Sequence, residues 1–296
     1  MTSRTVYFDN SIYNDIAKGS PEKKAAFMAF AEQGANEIIV SAVNVMEAAS
    51  SPDALRREAL LGVLRSVYNG RRPIALPPSL LRTVTSAYAH GVAQASISVN
   101  REHDWAWQAI DRPGELSVED ATILDEERRN LERSYRRMHE RGRLQLQHLV
   151  GIKVPLEARD IFQFLKGMSK DYEFFQQSIA FLIKGWEGAA LICGREDELI
   201  RNSPFWRCFY ASYGVSIYVR AVEKKNYGYS KNPGFFDIWQ AMYLPLCDIF
   251  VTSDKALRKH LRLVAPFAGN RPKVMAYEAL IRECALLSPE VDAFAT

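Results

Sequence analysis

The chain has 296 residues, of which 48% are hydrophobic and 25% charged, as in ordinary globular proteins that bury a full core. Its net charge of +3 is too small to indicate a nucleic-acid-binding protein by itself. No apolar run reaches the roughly 18 residues that a membrane span requires, and no basic-then-apolar signal peptide opens the chain, so we expect no contact with a membrane.

The N-terminal part of the chain alternates between strand-like and helical patterns. Strands are predicted over 4–9, 36–41 and 72–78, and helices over 10–19, 20–34 and 53–70. The helix over 20–34 has the clearest signals, with Ser20 as its N-terminal cap and Gly34 at its exit. Strands and helices that alternate at this spacing predict a parallel sheet covered by helices on both faces.

Helical periodicity dominates from about residue 79 to residue 212. Further helices are expected over 117–149, 157–168, 171–193 and 196–212. Strand-and-helix alternation then resumes, with strands predicted over 214–222 and 248–254, a helix over 236–246, and a last strand that runs into a helix over 272–280. We therefore interpret 79–212 as a helical insertion between the two halves, 1–78 and 213–296, of one α/β core.

The predicted helix over 117–149 is rich in charge and leaves three interpretations open. An apolar stripe of Leu124, Leu131 and Met138 recurs every seven residues on an otherwise polar helix. Its many arginines are interleaved with glutamates, which is typical of a solvated helix. The helix could instead contact nucleic acid, or pair with another helix of the same chain, of a second copy or of a protein partner.

The cysteines and histidines predict no metal site of their own. Four cysteines lie at 193, 208, 247 and 284 without C-x-x-C spacing, so we expect buried, reduced thiols and a cytoplasmic protein. The five histidines show no H-x-x-x-H spacing. The aromatic-rich segment 205–218 could stack on bases, but core packing is the simpler interpretation.

Four acids fall where the predicted sheet would bind a ligand. Asp9 ends the first strand, Glu47 lies in the helix after the second, Asp237 opens a helix, and Asp254 ends the strand over 248–254. Ligands bind at the carboxyl ends of parallel strands. Four carboxylates gathered there would repel one another unless a cation compensated them, and an all-oxygen set suits Mg²⁺ or Mn²⁺. Taken singly, each acid could be a helix cap or a solvated side chain.

Three segments resemble the successive motifs of the PIN-domain nucleases: VYFDNSIYNDIA, IIVSAVNVMEA and FFDIWQAMYLPLCDIFVTSDKAL. The resemblance covers 1–78 and 213–285. It implies a three-layer α/β/α fold with a central, mostly parallel sheet, and Mg²⁺- or Mn²⁺-dependent hydrolysis of phosphodiesters, usually in RNA. The chain departs from the family at Asn10, where Thr or Ser is usual, at Pro245, which shortens a helix, and in its large insertion.

The resemblance also implies a role for each acid. Asp9 and Asp254 would hold the tighter metal ion, Asp237 would complete the site, and Glu47 would hold a water or a second ion. Four polar neighbours would orient these carboxylates or contact the phosphate: Asn10, Ser11, Thr252 and Ser253. Asp248 precedes its strand, so we expect it at the opposite edge of the sheet with a structural role.

The resulting prediction is a cytoplasmic, PIN-like endoribonuclease whose helical insertion selects the RNA. A toxin, a processing enzyme or a defence effector would all fit this description. The main alternative is a PIN-like scaffold that binds RNA or a protein partner without cutting it. A phosphatase of the haloacid-dehalogenase type would need a second aspartate two residues after Asp9, where this chain has Ser11.

Overall fold

A computed structural model describes residues 4–33, 36–68, 72–93, 99, 104–150, 179–180, 182–221 and 239–286. Within these ranges one sheet is formed by β1 (Arg4–Phe8), β2 (Asn36–Ile39), β3 (Ile249–Val251) and β4 (Lys273–Met275). All four strands are parallel, in the order β2-β1-β3-β4, and helices flank the sheet. The predicted α/β class and parallel sheet are confirmed.

Four helices follow the first two strands, and their caps are local in sequence. They are α1 (Asn10–Ala17), α2 (Pro21–Glu32), α3 (Ala42–Ala49) and α4 (Ala54–Val67). The predicted cap Ser20 accepts a hydrogen bond from the backbone N–H of Lys23. Ser41 and Asn44 cap the start of α3 reciprocally, each side chain bonding the other's backbone N–H. Such caps satisfy the free N–H groups of a helix start and fix its position.

The described residues between 77 and 221 contain helices and turns but no strand. The helices are α5 (Pro77–Ala89), α6 (Asp104–Asp111), α7 (Val118–Val150), α8 (Ala189–Ile192), α9 (Glu196–Asn202) and α10 (Pro204–Ala221), with a 3₁₀ turn at Pro113–Glu115. None of the described helices has both the length and the apolar composition to cross a membrane. The helix predicted over 157–168 lies outside the described residues, and the insertion boundaries stay a prediction. The helix predicted over 171–193 is interrupted in its described part, because turns at 184–188, with Gly185 and Gly188 at positive φ, precede α8.

The helix α7 packs against both α3 and α10. In its apolar stripe, Leu124 is buried and Leu131 packs partly against the core, while the side chain of Met138 lies outside the described residues. The stripe therefore faces this chain's own core over the first half of α7. An intramolecular pairing is thus the interpretation that these two leucines favour.

The C-terminal part returns to the sheet. It comprises a 3₁₀ helix (Gln240–Leu246), β3, α11 (Lys255–Val264), a 3₁₀ turn (Ala265–Phe267), β4 and α12 (Tyr277–Leu286). The strand predicted over 248–254 and the last strand–helix step are confirmed. The helix predicted over 236–246 is, in its described part, a 3₁₀ helix that contains Pro245. Proline cannot donate the backbone hydrogen bond that a continuing α-helix needs.

Two predicted strands are wrong. The described part of the segment 214–222, residues 214–221, ends the helix α10, which packs against α5, α7, α9, α11 and both C-terminal 3₁₀ helices. A helix covered on several sides carries apolar residues all round and loses the helical period that would identify it. The segment 72–78 contributes one bridge, Ser41 to Ile74. Pro73 and Pro77 flank it without N–H donors, so the pairing cannot extend.

The helix predicted over 196–212 also needs correction, because it is two helices. The break falls at Ser203, which ends α9 in an extended conformation directly before Pro204. A residue that precedes proline is pushed out of the helical region by the proline ring, while proline itself fits the first position of the next helix.

The sheet centre is completely buried. Tyr7 and Phe8 of β1 and Phe250 of β3 have no exposed surface, and the rings of Tyr7 and Phe250 lie 4.8 Å apart. The same apolar cluster includes Trp206 and Tyr213, so the aromatic segment 205–218 packs in the core as predicted. Tight packing on both sides fixes where β1 and β3 end, and therefore where the residues that follow them lie.

The described cysteines are free thiols. Cys208 and Cys247 are buried, and burial raises the pKa of both thiols. Cys193 is exposed, which corrects the expectation that it is buried. It begins a short turn that follows α8.

Candidate functional site

Asp9 is a buried carboxylate at the end of an interior strand. It follows β1 directly and is only 3% exposed. Its Oδ1 accepts a hydrogen bond from the backbone N–H of Ser11, and its Oδ2 accepts one from the hydroxyl of Thr252. Thr252 follows the neighbouring strand β3, whose register pairs Phe8 with Val251. The parallel register thus brings residues 9 and 252 side by side.

The charge of Asp9 is poorly compensated. Burial raises the pKa of its carboxyl, the hydrogen bonds from Ser11 and Thr252 lower it, and the negative charge of Asp254 raises it. No lysine, arginine or histidine of the described chain is among the groups that shift this pKa. The folded protein therefore holds a carboxylate whose ionised form lacks a described cationic partner.

Asp254 caps a helix and also lies close to Asp9. Its Oδ1 accepts hydrogen bonds from the backbone N–H groups of Ala256 (2.6 Å) and Leu257 (3.0 Å) at the start of α11. Its own N–H donates to the hydroxyl of Thr252 at 3.0 Å. Thr252 therefore accepts from one acid's backbone and donates to the other acid's side chain. Asp254 is therefore a helix cap, one of the roles considered above, and its negative charge also raises the pKa of the Asp9 carboxyl.

Glu47 is joined to the end of β1 through two asparagines. Nδ2 of Asn10 donates to Oε2 of Glu47. Nδ2 of Asn44 donates to Oδ1 of Asn10 at 3.2 Å and to the carbonyl of Phe8 at 3.1 Å. Asn10 is the position where the PIN family usually has Thr or Ser, and here its amide orients the glutamate.

Two serines connect α1 to the loop after β3. The backbone N–H of Ser253 donates to the hydroxyl of Ser11 at 2.9 Å, and the hydroxyl of Ser253 donates to Oδ2 of Asp15 at 2.8 Å. Asp15 was not among the predicted residues. The available signal was its spacing, because a residue four positions after Ser11 lies on the same face of a helix.

The structure places Asp9, Glu47 and Asp254 at the carboxyl edge of the sheet, with their predicted neighbours Asn10, Ser11, Thr252 and Ser253. Asp237 lies outside the described residues. Among the residues that the structure does describe, no three His, Cys, Asp or Glu side chains form a group that could hold a metal ion. The four-acid metal site therefore stays a prediction.

The chemistry of the donors nevertheless fits Mg²⁺ or Mn²⁺. All the side chains gathered here offer oxygen, which these hard cations prefer. Asp9 is nearly inaccessible and lacks a described cationic partner, and a bound cation would supply that missing compensation.

Asp248 lies at the opposite edge of the sheet, as predicted. Its exposed carboxylate accepts hydrogen bonds from the backbone N–H of Thr5 at 2.8 Å and from the Thr5 hydroxyl at 2.9 Å. These contacts tie the start of β3 to the start of β1. The residue is therefore structural.

No protein-family model matches this sequence, and no curated protein or solved structure matches it either. The likeness to the PIN-domain nucleases therefore rests on the three sequence motifs. What that likeness implies about this chain is a proposal.

Proposed function

We propose that this chain is a PIN-like nuclease with a three-layer α/β/α core, dependent on Mg²⁺ or Mn²⁺, that cuts RNA internally. The observation that carries the proposal is the buried carboxylate of Asp9 at the end of an interior strand, with Asp254 and Glu47 at the same edge. Burying an ionised carboxylate without a partner costs free energy, and a cation bound at this edge offsets that cost.

The residues of the site would divide the work as follows. Asp9 and Asp254 would hold the metal ion, Asp237 would complete the site, and Glu47 would hold a water or a second ion. The Thr252 hydroxyl keeps Oδ2 of Asp9 oriented, and Asn10 does the same for Glu47. Such fixed supporting contacts preserve the geometry that metal ligands need. When bound, the metal ion makes its water a stronger nucleophile and neutralises charge on the phosphate.

RNA enters this proposal from the family resemblance. In the first half of α7, Arg128 bonds Asp125 and Glu132 at 2.8 Å each and Arg129 bonds Asp125 at 2.6 Å, while Arg133 bonds the neutral amide oxygen of Asn130. These ion pairs lie within α7 itself, so they favour a solvated helix over one that binds phosphate groups. A role for the helical region in selecting the RNA, or in binding a partner protein or a second copy, stays a prediction.

The proposed location is a reducing cytoplasm. Cys208 and Cys247 are free and buried in the core, and Cys193 is free although it is exposed. Free thiols are the usual state of cysteine in a reducing compartment.

The test is a cleavage assay with labelled single-stranded RNA and DNA in Mg²⁺, Mn²⁺ or EDTA. The proposal expects RNA fragments with either metal, none in EDTA, and none from the Asp9→Asn variant. Asp248→Asn is the matched control, because it makes the same substitution at the opposite edge of the sheet. Cleavage of DNA but not of RNA would show that the substrate is DNA. Binding without cleavage in every condition would overturn the nuclease and support the scaffold alternative.

A further inference from the structure

A small cavity lies between Glu47 of the proposed metal site and the helix α4. Its volume is about 130 Å³, and residues from α1, from the end of α3 and its following turn, and from α4 line it. The lining includes Asn10, Asn14, Glu47, Ser51 and Arg56. At roughly 30 Å³ for each water in the liquid, the space equals about four waters, which is room for a phosphate group.

Arg56 brings an unpaired positive charge to this cavity. Its Nη2 donates to the neutral amide oxygen of Asn14 at 2.8 Å, and no described carboxylate forms an ion pair with it. Arg128 on α7, by contrast, is bonded by two acids. Arg56 also lies in the first turn of α4, where the helix dipole disfavours a cation. Its guanidinium is therefore placed where an anion would be stabilised.

The side chain, and not the helix end, would bind that anion. Oδ1 of Asp53 already accepts the backbone N–H groups of Leu55 and Arg56 at the start of α4. The donors that remain for a ligand are on the guanidinium of Arg56, whose planar fork matches two phosphate oxygens at once.

Hydrogen bonds tie Arg56 to the acids of the proposed site. Asn14, which accepts from Arg56, donates its own Nδ2 to the carbonyl of Asn10 at 2.8 Å. The side chain of Asn10 in turn donates to Glu47. The guanidinium is thus held at a fixed place relative to the carboxyl edge of the sheet.

Ser51 adds another polar residue to the lining of the cavity. It is 8% exposed, it lines the cavity, and its hydroxyl has no hydrogen-bond partner among the described residues. The buried guanidinium of Arg57 fixes its backbone by donating to the Ser51 carbonyl at 2.9 Å. A buried hydroxyl without a partner costs free energy, and an oxygen of a bound ligand would satisfy it.

We propose that this cavity binds a phosphate group of a single-stranded nucleic acid, neighbouring the phosphate that is cut. The inference rests on the proposed nuclease function and deepens it. Arg56 supplies the charged donor, Ser51 supplies a neutral one, and Asn14 is a positioning residue for Arg56. The cavity contacts the strand's backbone, so it does not distinguish base sequence.

The test measures binding of a fluorescein-labelled single strand to the full chain in EDTA, where no cleavage occurs, over a series of salt concentrations. Arg56→Gln should weaken binding about tenfold at low salt, as expected for a lost charged hydrogen bond. It should also reduce the slope of log K against log salt by about 0.7, the value for one single-strand phosphate contact. Arg56→Lys should bind with intermediate affinity.

Arg65→Gln is the matched control, since Arg65 is an exposed arginine on the same helix and the charge change is identical. It should leave both the affinity and the slope unchanged. Ser51→Ala should weaken binding a few-fold without changing the slope, because it removes a neutral donor. Equal behaviour of the Arg56 and Arg65 variants would overturn the cavity's role, and metal-dependent cleavage that needs Asp9 would leave the nuclease standing.

A wild type that neither cuts nor binds the strand would overturn the nuclease, and inorganic phosphate then decides the fate of the cavity. A rise in melting temperature with phosphate that disappears in Arg56→Gln, but not in Arg65→Gln, would keep an anion site. No such rise would overturn the cavity as well.

Discussion

The two edges of the sheet hold aspartates with similar hydrogen bonds and different surroundings. Asp248 at the amino edge and Asp9 at the carboxyl edge each accept one backbone N–H and one threonine hydroxyl. Asp248 is exposed, whereas Asp9 is buried and near the charge of Asp254. Hydrogen bonds alone therefore do not distinguish a structural acid from a candidate ligand. Burial together with a neighbouring like charge does.

The largest expected difference between the edges is in cleavage. Asp9→Asn should reduce the metal-dependent rate at least about a thousandfold, because several kcal/mol of metal-based stabilisation of the transition state are lost. Asp248→Asn should keep the rate within about twofold. Initial rates on one labelled RNA at saturating Mn²⁺ give the ratio, and similar losses in both variants would remove the distinction between the edges.

The second expected effect is on the free energy of unfolding at acidic pH. A buried histidine contributes to it as well as Asp9, so the two contributions must be distinguished. Burial lowers the pKa of His260, which lies 2.7 Å from the hydroxyl of Ser212, to about 4. The unfolded chain takes up this proton near pH 6.5, so stability is complete above that pH and falls as the pH drops towards 4, by roughly 3 kcal/mol.

Asp9 acts with the opposite sign. The raised pKa of Asp9 means that the folded state favours the protonated acid, so falling pH removes the free-energy cost of burying its ionised form. Urea unfolding between pH 7 and pH 4 should show less acid loss in His260→Gln than in the wild type. Adding Asp9→Asn to that variant should restore part of the loss of stability at low pH. Identical stability curves against pH for all three proteins would contradict the roles given to His260 and to Asp9.

The third effect concerns the threonines that serve the two acids. Thr252→Val keeps the volume of a fully buried side chain but removes the donor to Asp9. Loss of such a supporting contact typically lowers metal affinity 10- to 100-fold. Titrating cleavage with Mn²⁺ measures the affinity, and Thr5→Val, which removes a donor to Asp248, should leave the titration unchanged.

The smallest effect is on the stability of the metal-free protein. In EDTA, Asp9→Asn should melt at the same temperature as the wild type or higher, because it removes a buried charge. Asp248→Asn should lose about 0.5–1 kcal/mol through weaker bonds to Thr5. Mg²⁺ should raise the melting temperature of the wild type more than that of Asp9→Asn. A clear loss of metal-free stability in Asp9→Asn would identify Asp9 as a structural residue.

What the sequence predicted about the site was local. Asp9 and Asp254 follow short apolar strands and precede helices, and both features are visible within ten residues of sequence. The bond from Asn10 to Glu47 joins positions 37 apart, so it depends on how α1 and α3 pack together. The cavity around Arg56 depends on the same packing, and no motif marked it.

The two wrongly predicted strands had different origins. The segment 214–222 alternates like a strand, but the place of its described part, 214–221, among several helices makes that part the end of α10. The segment 72–78 has strand-like composition, but its prolines limit it to the bridge at Ile74. The surroundings, which the sequence window does not contain, decided the first case. The prolines that decided the second case lie within the segment itself.

The strand that completes the site is made late. Asp9 and Thr252 are 243 positions apart, so β1 leaves the ribosome long before its neighbour β3. Pairing between strands so distant in sequence is slow, because the chain entropy is lost before the contacts form. Until then Asp9 has neither the threonine hydroxyl nor Asp254 beside it. Under the proposed function, an incomplete chain therefore does not cut the messenger RNA from which it is being translated.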